Sequence, residues 1–84
     1  MIQNYKIKIS KNAIKFINKQ DVQQRKRIMS AIYKLPLGDV KKLKGNEFYR
    51  LRIGDIRVLF SKNDKELLIL VISVGNRGQI YEDI

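Results

Sequence analysis

Residues 2–9 alternate apolar and polar positions, with Tyr5, Ile7 and Ile9 on one side and Lys6 and Lys8 on the other. That period of two predicts a half-buried first strand. The period then changes. After Ser10, a residue type suited to capping, Ala13, Ile14, Phe16 and Ile17 form one apolar stripe at helical spacing, so a helix begins at Lys11. Asp21, followed three positions later by Gln24, resembles a capping box and opens a second helix. Its buried positions are Ile28, Ala31, Ile32 and Leu35, and Pro36 and Gly38 end it. The two helices make a hairpin whose outer side is basic (Lys15, Lys19, Arg25, Lys26).

From Val40 onward the pattern is that of strands. Phe48–Ile53 and Ile56–Lys62 flank Gly54-Asp55, a two-residue hairpin signal with glycine at the first central position. Asn63-Asp64-Lys65 forms a second turn, and Glu66–Val74 is apolar on both faces, hence a central strand. The tail "GNRGQIYEDI" is expected to add a short edge strand around Gln79–Tyr81. The segment "VKKLKGN", residues 40–46, reads as a solvated loop and edge segment around Leu43, with an RNA-backbone contact as the alternative. The order is β-α-α-β-β-β, an α+β fold in one domain over residues 1–84. It is a small, twisted, mainly antiparallel sheet with the helical hairpin packed on one face.

Charge changes this picture. Lys and Arg number 18 against 8 acidic residues, a net charge of +10 in 84 residues. Such a balance points to a polyanionic partner, nucleic acid first and an acidic protein second. A membrane surface fits poorly, since no long basic amphipathic helix with aromatic anchors is present. The longest apolar run, Leu67–Ile72, is too short to cross a bilayer. Cysteine and histidine are both absent, which removes disulfides, thiolate chemistry, most zinc chemistry and the usual neutral-pH acid and base. Glu47, Asp55, Glu66, Glu82 and Asp83 show no ligand spacing, so neither a metal nor a cofactor is expected. The start of the chain lacks the apolar core of a signal peptide, and a cytoplasmic location is expected.

The candidate chemistry lies in "YRLRIGDIRVLF", residues 49–60. With Gly54 and Asp55 as the loop, Ile53 faces Ile56, Arg52 faces Arg57 and Leu51 faces Val58. Facing residues in an antiparallel pair share a side of the sheet. One side then carries Leu51, Ile53, Ile56, Val58 and Phe60, and the other Arg50, Arg52 and Arg57 with Phe48 and Leu59. Like charges directly opposite each other cost up to about 1 kcal/mol, and an anion between them reverses that sign. A solvated basic face in a chain that is basic throughout is the competing reading. Residue type favours the anion, because Lys outnumbers Arg in this chain, yet all three positions are Arg. Arginine offers a planar fork of donors suited to phosphate. Taking Ser73 as facing away from the helices, alternation carries Gly75 and Arg77 to the same side, with Tyr81 four residues on. Each also has a plain reading, Arg77 as a solvated loop residue and Tyr81 as an edge aromatic. Together, a tyrosine near four arginines suits a phosphate with its base.

The run "LPLGDVKKLKGNEFYRLRIGDIRVLF", followed by "LLILVISVGNRGQIY", resembles the RelE branch of the RelE/ParE toxin superfamily over nearly the whole chain. The resemblance implies the toxin of a type II toxin–antitoxin pair, a ribosome-dependent endoribonuclease that cuts mRNA in the decoding site. It implies attack of a 2′-hydroxyl on the adjacent phosphate with departure of the 5′-oxygen. By position, Arg50 and Arg52 stand near the attacking hydroxyl, and Arg57 matches the arginine that neutralises the phosphate. Arg77 matches the arginine that assists the leaving oxygen, and Tyr81 the tyrosine that stacks on a base. The implied partners are a cognate antitoxin, in a hetero-oligomeric complex, and the ribosome carrying mRNA.

Two departures stand out. Asn76 takes the place of a histidine found in many relatives, and Arg50 and Arg52 replace lysines that could act as base. Arginine stays protonated, so the base is left to Tyr81, Glu47 or Glu82, or to none. With no strong base, positioning by the ribosome supplies most of the rate, and this is the favoured reading. Two other functions compete. A ParE-like gyrase-inhibiting toxin generally lacks the set Arg50, Arg52, Arg57, Arg77 and Tyr81. A non-catalytic RNA-binding domain would show paired aromatics on its sheet, where this register places Phe48 alone.

Overall fold

Ser10 joins the first strand to the first helix by two bonds of its own. In the computed structural model, which describes residues 5–45 and 47–76, its hydroxyl accepts from Ala13 N–H and donates to the carbonyl of Ile72. Strand β1 (Lys6–Ile9) thus leads into α1 (Lys11–Asn18) at a point tied to the far end of the sequence. Asp21 accepts from Gln24 N–H and caps α2 (Val22–Tyr33) in the same way. Four strands follow: β2 (Val40–Lys42), β3 (Tyr49–Ile53), β4 (Ile56–Asn63) and β5 (Leu68–Asn76). The sheet order is β1-β5-β4-β3-β2, antiparallel except for the parallel pair of β1 with β5.

The expected order is present with one strand added. Val40–Lys42, read from sequence as loop and edge segment, pairs with β3 through Val40–Leu51, Lys41–Arg50 and Lys42–Tyr49. Three residues in a lysine-rich run give no alternation long enough to show a strand. The last strand begins two residues later than expected and runs further. Asn63 accepts from the N–H groups of Lys65 and Glu66, and Leu67 takes a positive φ of 51°, so Glu66 and Leu67 belong to the turn. At its other end Gly75 and Asn76 still pair with Arg57 and Ile56. The expected edge strand at Gln79–Tyr81 lies outside the described residues.

One layer of apolar side chains separates sheet from helices. Ala13 and Ile17 of α1, Ile28 and Ile32 of α2, and Leu35 beyond it pack against Leu51, Ile53, Ile56, Val58, Phe60, Ile69, Val71 and Val74. Phe60 is fully buried and stacks on Tyr49, ring centroids 5.5 Å apart, with Lys62 Nζ over the tyrosine ring at 5.3 Å from its centroid. Ile14, placed in the α1 stripe by its spacing, is 43% exposed at the rim. No helix among the described residues is long and apolar enough to cross a membrane.

A bulge in β5 sets which residues reach the other face. Leu59 pairs with Ser73 but Phe60 pairs with Val71, leaving Ile72 as the extra residue. Ile69 and Val71 point to the helices, and so does Val74. Strict alternation from Val71 would turn Ser73 and Gly75 inward. The bulge turns them outward, beside Leu59 and Arg57.

Candidate functional site

The β3–β4 hairpin has the register expected from its sequence. Ile53 pairs with Ile56, Arg52 with Arg57, Leu51 with Val58 and Arg50 with Leu59. Of the two loop residues, Gly54 alone has positive φ, at 58°, which is the II′ pattern that suits the twist of the strands. With Leu51, Ile53, Ile56, Val58 and Phe60 committed to the core, Arg50, Arg52 and Arg57 share the opposite, outer face.

Two cross-strand rows make up this face. One runs Lys41, Arg50, Leu59, Ser73, and the next runs Arg52, Arg57, Gly75. Arg52 donates its N–H to the carbonyl of Asp39 at 3.0 Å, away from β4. The Arg52–Arg57 pair is therefore a non-hydrogen-bonded one, the closer kind, with Cα atoms about 4.5 Å apart. Four cations thus stand on three adjacent strands, with like charges facing each other twice.

The three arginines are held differently. Arg57 is 9% exposed, and its Nη1 donates to the carbonyls of Gly54 at 2.7 Å and Ile56 at 3.2 Å. Gly75 opposite it carries no side chain, which leaves room for the guanidinium against the sheet. Backbone carbonyls fix this cation without neutralising it. Arg50 is half-buried, and its Nη2 lies 3.6 Å from Oδ1 of Asp39. Arg52 is exposed and makes no side-chain hydrogen bond or ion pair among the described residues. Two polar atoms of the Arg50 row, Arg50 Nε and Ser73 Oγ, are buried and have no hydrogen-bond partner among the described residues. Fixed, partly desolvated donors of this kind suit negative charge that develops in place. Arg77 and Tyr81, the other two expected site residues, lie outside the described residues.

Sequence reasoning missed two members of the face. Lys41 joins it through the unexpected β2, and the signal available was the lysine run itself. Asp39 supplies both a carboxylate to Arg50 and a carbonyl to Arg52. It lies eleven positions before Arg50, and nothing local in the sequence marks it.

Comparisons with known proteins follow the same lines. The family profile described as "ParE toxin of type II toxin-antitoxin system, parDE" matches residues 7–81. Among solved structures, the chain is similar to the archaeal RelE–RelB complex from Pyrococcus horikoshii, at 29% identity and a TM-score of 0.75, covering 92% of this chain and 99% of that one. It is similar to the RelB–RelE antitoxin–toxin complex from Methanococcus jannaschii, at 28% identity and a TM-score of 0.69, covering 92% and 98%. Its fold also matches the RelBE2 toxin–antitoxin complex from Mycobacterium tuberculosis, at 17% identity and a TM-score of 0.76, covering 89% and 93%. No curated protein matches the chain.

Proposed function

The chain belongs to the ParE toxin family of type II toxin–antitoxin systems, within the RelE/ParE superfamily, and we propose that it is a ribosome-dependent endoribonuclease that cuts mRNA in the decoding site. The observation that carries this reading is the guanidinium of Arg57, fixed by two backbone carbonyls and directly opposite Arg52 on the face of the sheet turned away from the helices. A phosphodiester placed there meets a cation that needs no rearrangement as charge grows on the phosphate. In the proposed reaction a 2′-hydroxyl of the bound strand attacks the adjacent phosphorus. The 5′-oxygen leaves and a 2′,3′-cyclic phosphate forms, with the hydroxyl proton leaving to solvent and a proton reaching the 5′-oxygen. Arg50 and Arg52 flank the attacking hydroxyl, Arg57 neutralises the phosphate, Arg77 assists the leaving oxygen, and Tyr81 stacks on a base.

None of the arginines can act as base. Asp39, the acid of this face among the described residues, is turned to Arg50 and serves to hold it. Positioning of the strand by the ribosome then supplies much of the rate, and no step calls on a metal. An antitoxin is the proposed protein partner, since the similar archaeal toxins are seen in complex with RelB.

A second reading is favoured by the family profile itself, which is that of ParE: inhibition of gyrase without RNA cleavage. Primer extension on translated mRNA separates the two. Codon-positioned cuts that appear with the wild type and vanish with Arg57→Ala support cleavage on the ribosome. Double-strand DNA breaks with intact mRNA, or equal cleavage of naked RNA, overturn it.

A further inference from the structure

A second basic feature lies around the rim of the hairpin, between α2 and the end of β3. Here a groove of about 410 Å³ is floored by Ala31, Leu51 and Ile53 and flanked by Arg27, Lys34 and Arg52. It exists because β2 pairs with β3 only as far as Leu51, so the edge of β3 beyond that point has no neighbouring strand among the described residues. Arg27 and Lys34 stand seven positions apart on one face of the helical segment, about 10 Å along its axis. The Arg27 guanidinium lies against the hairpin turn: a Cβ placed on Gly54 would come within 2.9 Å of its Nη2. Among the described residues Arg27, Lys34 and Arg52 make no ion pair and no side-chain hydrogen bond. The one acid in the groove lining, Asp39, is already paired with Arg50.

We propose that this groove carries the sugar–phosphate backbone of single-stranded RNA as it leaves the arginine face, with Arg27, Lys34 and Arg52 each meeting phosphate oxygens. The inference rests on the reading of that face as an RNA site, which it extends. Continuity favours RNA over an acidic protein segment. Arg52 belongs both to the Arg52–Arg57 row and to the groove, so a strand with one phosphate at Arg57 is led past Arg52 towards Arg27. The apolar floor offers contact to ribose, and Arg27 and Lys34, about 10 Å apart along the helix axis, are spaced to meet separate phosphates.

The test is fluorescence-anisotropy binding of a short unstructured oligoribonucleotide across a salt series, with full-length wild type, Arg27→Ala/Lys34→Ala and Arg57→Ala. Removing one phosphate-binding cation lowers the salt slope by about 0.7. The groove variant should therefore show a slope smaller by about 1.4 and bind about 20-fold more weakly at ~0.1 M salt. Its circular dichroism should be unchanged, since both side chains are exposed. A slope that falls for Arg57→Ala and not for the groove variant overturns the groove alone. So does a groove variant that binds RNA normally and no longer binds a poly-glutamate peptide. Wild type that fails to bind the oligonucleotide at low salt overturns the groove and the RNA site together.

Discussion

The two faces of the β3–β4 hairpin are built from the same ten residues and obey opposite rules. Towards the helices, Leu51, Ile53, Ile56, Val58 and Phe60 are buried among one another and their partners in α1 and α2. Every contact there is satisfied within the chain. Towards the outside, Arg50, Arg52 and Arg57 stand beside Lys41, and Arg52 directly faces Arg57. The inner face stabilises the fold, while repulsion on the outer face weakens it. A sheet that needed only solubility could alternate signs across its strands. On the proposed function, the outer face is instead organised for a charge the chain does not carry.

Disrupting the inner face should have the largest effect. Phe60→Ala removes a fully buried ring stacked on Tyr49 and should cost about 3–5 kcal/mol in urea unfolding, a loss typical of buried aromatics. In a domain of 84 residues that is a large share of the total. Disrupting the outer face should leave the fold standing. On the proposed function, Arg57→Ala should lower the rate of mRNA cleavage by about 10²–10³-fold, as does loss of one donor to developing oxyanion charge. Its unfolding free energy should change by only about 1 kcal/mol, for the hydrogen bonds to Gly54 and Ile56.

The smallest effect lies away from both faces. The Tyr5 hydroxyl donates to Asp64 and joins the start of β1 to the β4–β5 turn. That bond, with desolvation and the Asp64 charge behind it, raises the phenol above its ordinary value of 10.0. In the unfolded chain the phenol ionises at the ordinary value while the folded chain still holds its proton. The stabilisation is therefore complete below pH 10 and is lost as pH rises from there through the raised folded value. Tyr5→Phe, followed by thermal unfolding across that range, should lack this part of the alkaline decline. An identical decline in both proteins would show that the bond carries no such coupling.

Much of this was legible in the sequence, for identifiable reasons. Ser10 and Asp21 cap the two helices as their residue types suggest. The Gly54-Asp55 turn determines the hairpin register, and the register alone places Arg52 against Arg57. What could not be read depends on contacts between distant segments. Strand β2 is three residues long and exists through its pairing with β3, so the lysine run hints at Lys41 only weakly and Asp39 joins the site without a local signal. The bulge at Ile72 is likewise invisible in an apolar run, though it decides that Ser73 and Gly75 face outward. Arg27 shows in sequence as one more cation on a basic helix. Its place against Gly54 appears only once α2 lies over the hairpin.

If the outer face gives up stability to hold an anion, Arg52→Glu should separate the two properties in a single protein. Arg52 is exposed and, among the described residues, unpaired, so the change puts a carboxylate opposite Arg57 with no core contact disturbed. Equilibrium unfolding and mRNA cleavage are measured on the same preparation. The expected result is a chain more stable than wild type by some tenths to about 1 kcal/mol that no longer cuts translated mRNA. A less stable chain, or one that cuts as before, would show that the arginine face is not built around an anion.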